Sequence, residues 1–433
     1  MIFKFIWIIG ACIRNPSIFK LFKELKRNES LTANELNNLQ LLKLKNILKF
    51  SYTNSNFYRD NFKKYNFNPF DDFKVIDDLY KIPIITKDDL INHNKDIHTS
   101  NNYIFKRDFT CESSGTSGKQ LKFTRDEYSD SFNRASIMRG YSWHDIKIWT
   151  RNGYLWGYNF EFFEKIKIRI LDFFQNRYRV FSYTESEIKK FTKKLKNANY
   201  LTGYSSMIFE ISKIINKNSI NIDGHKIKMI KGTSEKIFDN YRNEVYKAFG
   251  VELIGEYGAA ETGIIGFECK YGKMHINSEG VIVEEINNEI IVTNLITKSF
   301  PVIRYKLGDY IKLNNLENKC ECGLNHPIID DILGRVGKQV KGYKNIYPSL
   351  VFYNVFKNLS KKYKLKLNYQ IIQDEIGKLN VNIEQELNLK GKSLIISEMN
   401  KYFKKDVEVL IFDLVKLHSK KGKLVDFISK INN

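Results

Sequence analysis

Cysteine is scarce in this sequence, and its distribution excludes one class of protein. The 433 residues include five cysteines, which are Cys12, Cys111, Cys269, Cys320 and Cys322. An odd number at uneven spacing is not the framework of paired cysteines that small secreted proteins use for disulfides. We therefore expect the protein in a reducing compartment, the cytoplasm.

Long apolar runs are also lacking, apart from one at the start of the sequence. Met1 to Ile13 reads MIFKFIWIIGACI, which is too short to span a bilayer and has no good signal-peptide cleavage site. One interpretation is a packed first helix or strand. The other is a peripheral contact with a membrane, which would place the protein at its inner face.

Acidic residues are fewer than basic ones, 49 against 70, so the formal net charge is +21. The lysines are scattered along the chain rather than gathered into a stripe, and no segment resembles a recognition helix. This pattern does not favour nucleic-acid binding, which would predict salt-dependent association with DNA or RNA. A basic surface also suits a protein that handles polyanionic ATP or lies near anionic lipid.

Repeats and low-complexity linkers are absent, and the length favours one large and one small domain. From about residue 100 to 260 predicted strands alternate with amphipathic helices, which predicts an α/β domain with a doubly wound, mostly parallel sheet. The strands are Ile148–Thr150, Ile227–Lys231 and Val251–Gly255, and the helices are Asp126–Arg139, Ser205–Asn216 and Phe238–Phe249.

The pattern changes after about residue 275. Val281–Ile286 and Glu289–Val292 flank Asn287-Asn288, which predicts a β-hairpin with an Asn-Asn turn. Beyond 334 the sequence predicts a compact α+β segment, with strands at Leu367–Gln373 and Val407–Leu410 and helices at 349–361 and 391–403. We therefore predict a multi-layer α/β domain over 1–333 and a small α+β lid over 334–433.

The most specific motif is Thr110 to Lys119, TCESSGTSGK, between two predicted strands. Its glycines allow a phosphate to approach the backbone, its hydroxyls donate hydrogen bonds, and Lys119 adds positive charge. The spacing is not that of a Walker loop. Taken alone, the segment could also be an ordinary Ser/Gly turn.

Three further motifs follow in order. Glu256 to Gly263 reads EYGAAETG and follows a predicted strand, where Tyr257 suits a nucleobase and Glu261 suits magnesium. Val302 to Asp309 ends in a Gly-Asp turn, where the carboxylate of Asp309 can accept hydrogen bonds from ribose hydroxyls. Gly334-Arg335 opens the last segment, and Ser419 to Lys423 lies near its end.

This ordered set resembles the adenylate-forming superfamily, specifically its branch of phenylacetate–coenzyme A ligases and capsular-polysaccharide-biosynthesis proteins. The resemblance covers nearly the whole chain and includes Pro83 to Lys87, Gly203 to Ser206 and Thr233 to Glu235. It implies an ATP-dependent ligase with a large α/β domain and a mobile C-terminal lid. Magnesium would be required, and coenzyme A is one candidate acceptor.

The resemblance also implies roles for individual residues. Glu261 would bind magnesium, Asp309 the ribose, Arg335 the ribose or the α-phosphate, and Lys423 the adenylation transition state. The β- and γ-phosphates would lie on the loop formed by Ser113, Ser114, Gly115, Thr116, Ser117, Gly118 and Lys119. The adenine would lie among Ser234, Glu235, Glu256, Tyr257, Gly258 and Ala259.

Two departures from the family pattern affect these assignments. No acidic residue follows Gly334-Arg335, so Lys338 is our prediction for the hinge. The residues around Lys423 also match the family motif poorly, which leaves Lys420 and Lys421 as alternatives for the mobile lysine. Lysines in such loops are also commonly ordinary surface residues.

A second constellation flanks the predicted hairpin. Three cysteines and a histidine there are the ligand types of a closed structural zinc site: Cys269, His275, Cys320 and Cys322. The Cys-x-Cys spacing is less usual than Cys-x-x-Cys, so unmetallated thiols are the alternative. Either way, we expect the cluster to fasten the hairpin and not to take part in catalysis.

The leading functional hypothesis is a ligase that activates a carboxylic acid as an acyl-adenylate and passes the acyl group to a thiol or an amine. Its place would be capsule or envelope polysaccharide biosynthesis, or thioesterification of an aryl acid with coenzyme A. The alternative is an adenylyltransferase that leaves AMP on its acceptor. A homodimer is left open.

Overall fold

The structure is a computed structural model. It describes residues 2–113, 120–155, 162–180, 185–222, 224–234, 237, 239–314, 320–332, 339–365, 367, 369–415, 417, 419–420, 423–424 and 427–431. The described chain divides into two compact units, one formed by 1–111 and 123–335 and the other by 112–122 and 336–433. The segment 112–122 thus groups with the C-terminal residues, which the sequence did not predict.

Helices dominate the first hundred residues. They are α1 Ile2–Arg14, α2 Ile18–Asn28, α3 Ala33–Asn54, α4 Asn56–Lys64, the 3₁₀ helix Ile76–Lys81, α5 Lys87–Asn92 and α6 Asn94–Ile97. Thr86 is the N-cap of α5, since its hydroxyl accepts from the amide of Asp89 and the Asp89 carboxylate accepts from the amide of Thr86. This reciprocal pair starts α5 by satisfying amides that have no partner inside the helix.

The first apolar run forms helix α1. Of the helix or strand expected for this segment, the structure has the helix. It is not packed into a core, because α1 has no buried side chain. No single helix among the described residues could cross a membrane, although α1 and α2, which are bent by 102° at their junction, would have the length and composition as a pair.

The α/β part follows α6. Its helices are α7 Glu127–Ser142, α8 Phe162–Phe174, α9 Glu185–Leu195, α10 Ser205–Lys217 and α11 Asp239–Phe249. Its strands are β1 Asp108–Glu112, β2 Lys122–Asp126, β3 Asn152–Leu155, β4 Arg177–Arg179, β5 Tyr200–Tyr204, β6 Met229–Thr233, β7 Leu253–Ala259, β8 Gly263–Glu268, β9 Met274–Ile276, β10 Val281–Ile286, β11 Glu289–Asn294, β12 Tyr305–Leu313 and β13 Ile328–Ile332.

An 11-stranded sheet organises these elements in the order β10-β11-β12-β13-β9-β8-β7-β6-β5-β3-β4. The strands from β4 to β7 pair in parallel, as the alternating pattern predicts. Every pairing from β7 to β10 is antiparallel. The parallel sheet predicted over about residues 100–260 is therefore present from β3 to β7, and antiparallel strands extend the same sheet beyond that range.

One predicted strand is wrong. Ile148 to Thr150 lies in a turn before β3, because the amide of Thr150 donates to the carbonyl of Lys147 over 2.9 Å. Ile148 packs instead against the buried cluster that includes Tyr141 and Tyr200. This short apolar run is thus partly buried in a turn and does not form a strand.

Each face of the parallel half is covered by apolar side chains. One core cluster joins the sheet to α9, α10 and α11 through residues such as Ile188, Ile211 and Val245. The opposite face carries the cluster around Tyr141 and Phe267, which α7 covers. This burial fixes the parallel strands and hence the positions of their carboxyl ends.

The predicted hairpin is present. β10 and β11 pair in the register Val281↔Asn294 to Ile286↔Glu289. Asn287 and Asn288 both have positive φ, 53° and 61°. Two successive positive φ angles are the geometry of a type I′ turn, which asparagine adopts more readily than most residues.

The C-terminal unit is α+β, as predicted. Its strands are β14 Gln339–Lys341, β15 Ile346–Pro348, β16 Tyr369–Gln373, β17 Lys378–Ile383, β18 Glu408–Phe412, β19 Ser419–Lys420, β20 Lys423–Leu424 and β21 Phe427–Ser429. Helices α12 Leu350–Tyr363 and α13 Leu389–Phe403 contact each other. Phe352, Met399 and Phe403 lie in one buried core with the four-stranded sheet β18-β17-β16-β21.

Candidate active site

The carboxyl ends of β6 and β7 bring two of the predicted nucleotide motifs side by side. Thr233 at the end of β6 pairs with Glu256 in β7, and the next residues in the chain are Ser234 and Tyr257. Ser234 is exposed and has a φ of 70°. In open α/β sheets, ligands bind outside the carboxyl ends of the strands.

Tyr257 joins the motif of β7 to the motif of β12. Its hydroxyl donates to Oδ2 of Asp309 over 2.9 Å, although β7 and β12 are not neighbours in the sheet. The predicted adenine contact and the predicted ribose acceptor are thus adjacent. This juxtaposition of residues 52 positions apart is the main geometric observation at the site.

Glu261 lies in the turn between β7 and β8, with a side chain that is 6% exposed. Within the described structure its carboxylate has Lys87 Nζ as partner, at 4.0 Å. The buried hydroxyl of the next residue, Thr262, has no hydrogen-bond partner among the described residues. A buried carboxylate and an adjacent unpartnered hydroxyl are oxygen ligands of the kind that magnesium takes, with the remaining ligands supplied by phosphate and water.

Lys87 is a residue whose position at the site the sequence did not predict. It belongs to the Pro83 to Lys87 motif, about 170 residues before Glu261, and no local pattern links the two. The link is made by Ile85, whose amide donates to the carbonyl of Arg304 over 3.0 Å and whose carbonyl accepts from the amide of Lys306 over 2.9 Å. Ile85 is therefore held against β12 by an isolated parallel bridge with Tyr305.

The buried side chain of Arg304 stabilises the contact between the Ile85 segment and β12. Its guanidinium binds both carboxylate oxygens of Glu284 at 3.1 and 2.8 Å and donates to the carbonyl of Ile82 over 2.5 Å. The side chain is buried. Arg304 thus fastens the segment that carries Lys87 to the strand that leads to Asp309.

Glu256 differs from its neighbours because its carboxylate is already paired. Lys231 Nζ lies 2.6 Å from Oε2, and the hydroxyl of Thr233 donates to Oε1 over 3.2 Å. Lys231 is buried, and the side chain of Glu256 is 9% exposed. A buried ion pair supports local geometry, and the predicted contact of Glu256 with the nucleotide stays a prediction.

Gly258 is required by the close approach of β7 and β8. A Cβ at this position would lie 2.5 Å from the carbonyl oxygen of Gly263. Gly263 itself has a φ of 77°, which side chains rarely tolerate. The tight turn between them holds Ala259 and Glu261 at the strand end.

Several predicted residues lie outside the described residues, in whole or in part. Ser113 is described: it is buried, and its hydroxyl accepts from the amide of Leu121 over 3.0 Å. The backbone of Lys423 belongs to β20, and its side chain is not described. Wholly outside are Ser114, Gly115, Thr116, Ser117, Gly118, Lys119, Glu235, Arg335, Lys338 and Lys421.

The cysteine and histidine constellation assembles as predicted. The ligand atoms of its four residues lie within 4.8 Å of one another: Cys269, His275, Cys320 and Cys322. The sulfurs of Cys269 and Cys320 are 3.7 Å apart. Two thiolates bound to one tetrahedral zinc at about 2.3 Å would be separated by about 3.8 Å, so the spacing fits that ion.

His275 is oriented for metal binding. Its Nδ1 lies 3.0 Å from the carbonyl oxygen of His326, and a carbonyl only accepts, so Nδ1 carries the proton. Nε2 then presents a lone pair to the sulfur of Cys322 at 3.2 Å. Such a second hydrogen bond is what sets the tautomer of histidines that bind metals.

Burial governs the protonation of the cluster when no metal is bound. It lowers the pKa of His275 to about 4 and raises the pKa of Cys322 to about 12. The imidazole is therefore neutral at pH 7, as a zinc ligand must be, whereas the thiols would have to lose protons on binding.

Comparisons with known proteins agree with this architecture. No protein-family model matches the chain. The chain is 26% identical to Protein CapK of Staphylococcus aureus over 320 residues, which are 68% of this chain and 66% of CapK. It is 31% identical to the indoleacetate–lysine synthetase of Pseudomonas savastanoi over 121 residues, which are 27% of this chain and 30% of the synthetase.

The fold is similar to that of a 2-hydroxyisobutyryl-CoA ligase solved in complex with 2-HIB-AMP and CoA in the thioesterification state. The TM-score is 0.60 at 15% identity, over 94% of this chain and 92% of that chain. The postadenylation state of the same ligase gives a TM-score of 0.59 at 14% identity, with the same coverage. At these identities the two solved structures show the fold, which this chain shares with that ligase over nearly its whole length.

Proposed function

We propose that the protein is an ATP-dependent ligase that activates a carboxylic acid as an acyl-adenylate and transfers the acyl group to a thiol or an amine. The observation that carries this proposal is the meeting of Tyr257 and Asp309 at 2.9 Å beside the strand end that leads to Glu261. A phenol ring beside a carboxylate suits a nucleoside, and a buried carboxylate at a strand end suits its magnesium-bound phosphates.

The reaction has two steps. A carboxylate oxygen of the acid attacks the α-phosphorus of ATP, a new P–O bond forms, and the bond to pyrophosphate breaks with its electron pair. The acceptor thiol or amine then attacks the acyl carbon, AMP leaves, and the acceptor loses its proton. Both steps place negative charge on phosphate oxygens, which positive groups must stabilise.

The described residues have distinct tasks in this scheme. Glu261 would hold magnesium, which neutralises phosphate charge when bound, and Lys87 adds a cation within 4.0 Å of that carboxylate. Asp309 would accept hydrogen bonds from the ribose, and Tyr257 both supports Asp309 and offers a flat face to the base. Arg304 keeps the segments of Lys87 and Asp309 in place.

The predicted phosphate loop from Ser113 to Lys119, Arg335 and the mobile Lys423 complete the proposal. Residues 1–333 would form the nucleotide-binding domain and 334–433 a lid. A lid that closes differently for the two steps would keep water from the mixed anhydride. We also propose a cytoplasmic enzyme, with a membrane contact through α1 that is independent of the chemistry.

Two relatives bear on the acceptor through their names alone. The indoleacetate–lysine synthetase joins an acid to an amine, and the 2-hydroxyisobutyryl-CoA ligase joins an acid to a thiol. We therefore propose to test lysine and other amines beside coenzyme A. A role in capsule biosynthesis is proposed from the similarity to CapK.

The activation step is tested by acid-dependent exchange between ATP and labelled pyrophosphate, screened over a panel of carboxylic acids. We expect exchange with at least one acid, and a loss of about 100-fold in Glu261→Gln and Lys119→Ala. Glu252→Gln is the matched control, because Glu252 is exposed just before β7. Normal exchange in Glu261→Gln would contradict the site.

The mobile lysine has its own comparison. Lys423→Ala is expected to slow exchange strongly, and Lys420→Ala is expected to leave it unchanged. The reverse result would assign the role to Lys420 and would correct the position without affecting the reaction class.

We also propose that the cluster of Cys269, His275, Cys320 and Cys322 holds a structural zinc ion. The purified chain should contain about one zinc per molecule by elemental analysis, and Cys322→Ser should lose it and melt at a lower temperature. The control is Cys111→Ser, since Cys111 lies in β1, outside the cluster. A wild-type chain that folds without bound metal would contradict the proposal.

A further inference from the structure

Helix α1 exposes an apolar surface that no other described element covers. Ile2, Phe5, Ile9 and Ile13 are all more than half exposed. They recur at intervals of three or four residues, so they share one side of the helix. The opposite side carries Trp7, which contacts Phe19 and Trp149.

Helix α8 has the same property. Phe163, Ile166, Ile170 and Phe173 are exposed, and Phe163 is exposed to 82%. From residue 163 to the end of α8, Asp172 is the one buried side chain, and it binds Arg179 at 2.7 Å. A helix in a soluble fold normally buries its apolar stripe against the core. The stripe of α8 therefore faces outward.

The two exposed stripes are neighbours. The rings of Phe3 in α1 and Phe173 in α8 are 5.8 Å apart in an edge-to-face contact. We call the combined surface the α1–α8 face and define it by the exposed apolar residues of the two helices. Contiguous exposed apolar surface of this kind marks a site of interaction with a protein or a membrane.

Charge distinguishes the kind of partner that this face fits. Lys4, Lys165, Lys167 and Arg169 lie on the same two helices, and Glu164 is the one acidic residue besides the ion-paired Asp172. Basic residues beside an apolar stripe of Phe, Ile and Leu are typical of helices that lie in a membrane interface. They complement anionic phospholipid headgroups, each contributing attraction near the surface.

The dimensions favour binding in the plane of the membrane. Each helix has 13 residues, which is about 20 Å of helix, against about 30 Å for the hydrocarbon core of a bilayer. A bend of 102° separates α1 from α2, so the chain turns away at the end of α1. The apolar stripes can therefore enter the headgroup region while the rest of the chain stays in water.

We propose that the α1–α8 face binds the surface of a membrane that contains anionic phospholipids. The sequence alone pointed to α1, and the structure adds α8 and the basic residues that select the lipid. The binding is separate from the ligase reaction, because it uses none of the residues at the nucleotide site.

The test is flotation of the full-length protein with phospholipid vesicles. We expect binding to vesicles of phosphatidylcholine with about 30% phosphatidylglycerol and binding about tenfold weaker to phosphatidylcholine alone. Binding to the anionic vesicles should weaken as the salt concentration rises. Ile9→Glu and Ile170→Glu, one change in each helix, should each weaken binding about tenfold. The control is Leu389→Glu, at a residue that is 87% exposed in α13 of the other unit.

Two results would overturn the proposal. One is a wild-type protein that does not float with either vesicle. The other is a dimer in sedimentation that both glutamate variants dissociate without any change in vesicle binding, since that would assign the face to a second copy of the chain. Thermal unfolding of the variants verifies their fold, and their pyrophosphate exchange, whatever its level, is read separately from vesicle binding.

Discussion

A buried ion pair holds distant segments of the site together. The pair Arg304–Glu284 lies under β12, with both side chains less than 10% exposed. Burial raises the pKa of Glu284, although the guanidinium of Arg304 opposes that shift. Removing one partner therefore leaves the other charge without compensation in a medium that solvates it poorly.

For this reason Arg304→Ala is expected to lower the free energy of unfolding by about 3–5 kcal/mol. Chemical denaturation measures the change. The control is Lys306→Ala, which breaks a partly exposed ion pair between Lys306 of β12 and Glu289 of β11 and should cost less than about 1 kcal/mol. If both variants lost the same free energy of unfolding, the buried pair would contribute no more to stability than the partly exposed one.

Glu279 predicts how stability depends on pH. Burial opposes its ionisation, but Arg139 at 2.7 Å and the hydrogen bond with His326 outweigh it and hold the pKa of Glu279 well below its usual range. A carboxyl whose pKa is lower in the folded state stabilises the fold above its unfolded pKa of about 4.3, and that stability is lost as the pH falls below it.

Accordingly, Glu279→Gln should be less stable than wild type at pH 7, and the difference should shrink as the pH falls from about 5 to about 3. Denaturation curves across this range provide the measurement, with exposed Glu252→Gln as the control. A difference that stays constant over the whole range would contradict the assignment.

At the scale of residues, the sequence predicted which side chains belong to a site better than it predicted which side chains contact each other. The composition and spacing of Cys269, His275, Cys320 and Cys322 sufficed to predict their cluster, because zinc ligands belong to a small set of residue types. The ion pair of Lys87 with Glu261 had no local signal. It depends on β12 accepting the Ile85 segment as a neighbour, which is a tertiary pairing.

Among the elements, the β10–β11 hairpin tests most directly whether the local sequence determines the conformation of a turn. Its turn needs two positive φ angles, and asparagine supplies both at Asn287 and Asn288. Asn288→Gly should keep or slightly raise stability, because glycine adopts this conformation without strain. Asn288→Val should cost about 1–2 kcal/mol, because a β-branched side chain is strained there.

Thermal and chemical unfolding of these two variants give the comparison. Equal stability of the valine and glycine variants would mean that the turn is not type I′ in solution. The zinc content should be unchanged in both, since the turn lies outside the cysteine cluster.

Elements with a clear period were predicted well, and short apolar runs were not. The helices α7, α10 and α11 lie within a few residues of their predicted positions, because each has an amphipathic pattern of more than ten residues. Ile148 to Thr150 was predicted as a strand, but it lies in a turn and is partly buried. Such a run carries no period long enough to distinguish the two.

At the scale of the whole molecule, the fold follows from alternating helices and strands up to β7 and from hairpins after it. The sequence predicted the α+β character of the C-terminal part because its strands and helices are short and distinct. It did not predict that residues 112–122 group with that part. A division of this kind is set by contacts between distant segments and not by composition.

The ligase that we propose makes an acyl-adenylate and then releases AMP. The most direct measurement follows ATP labelled at its α-phosphate in the presence of an active acid and an acceptor amine or thiol. We predict that the label leaves as free AMP in amounts equal to pyrophosphate and to the acylated acceptor. Label retained on the acceptor, or ADP with inorganic phosphate as the products, would contradict the proposed reaction.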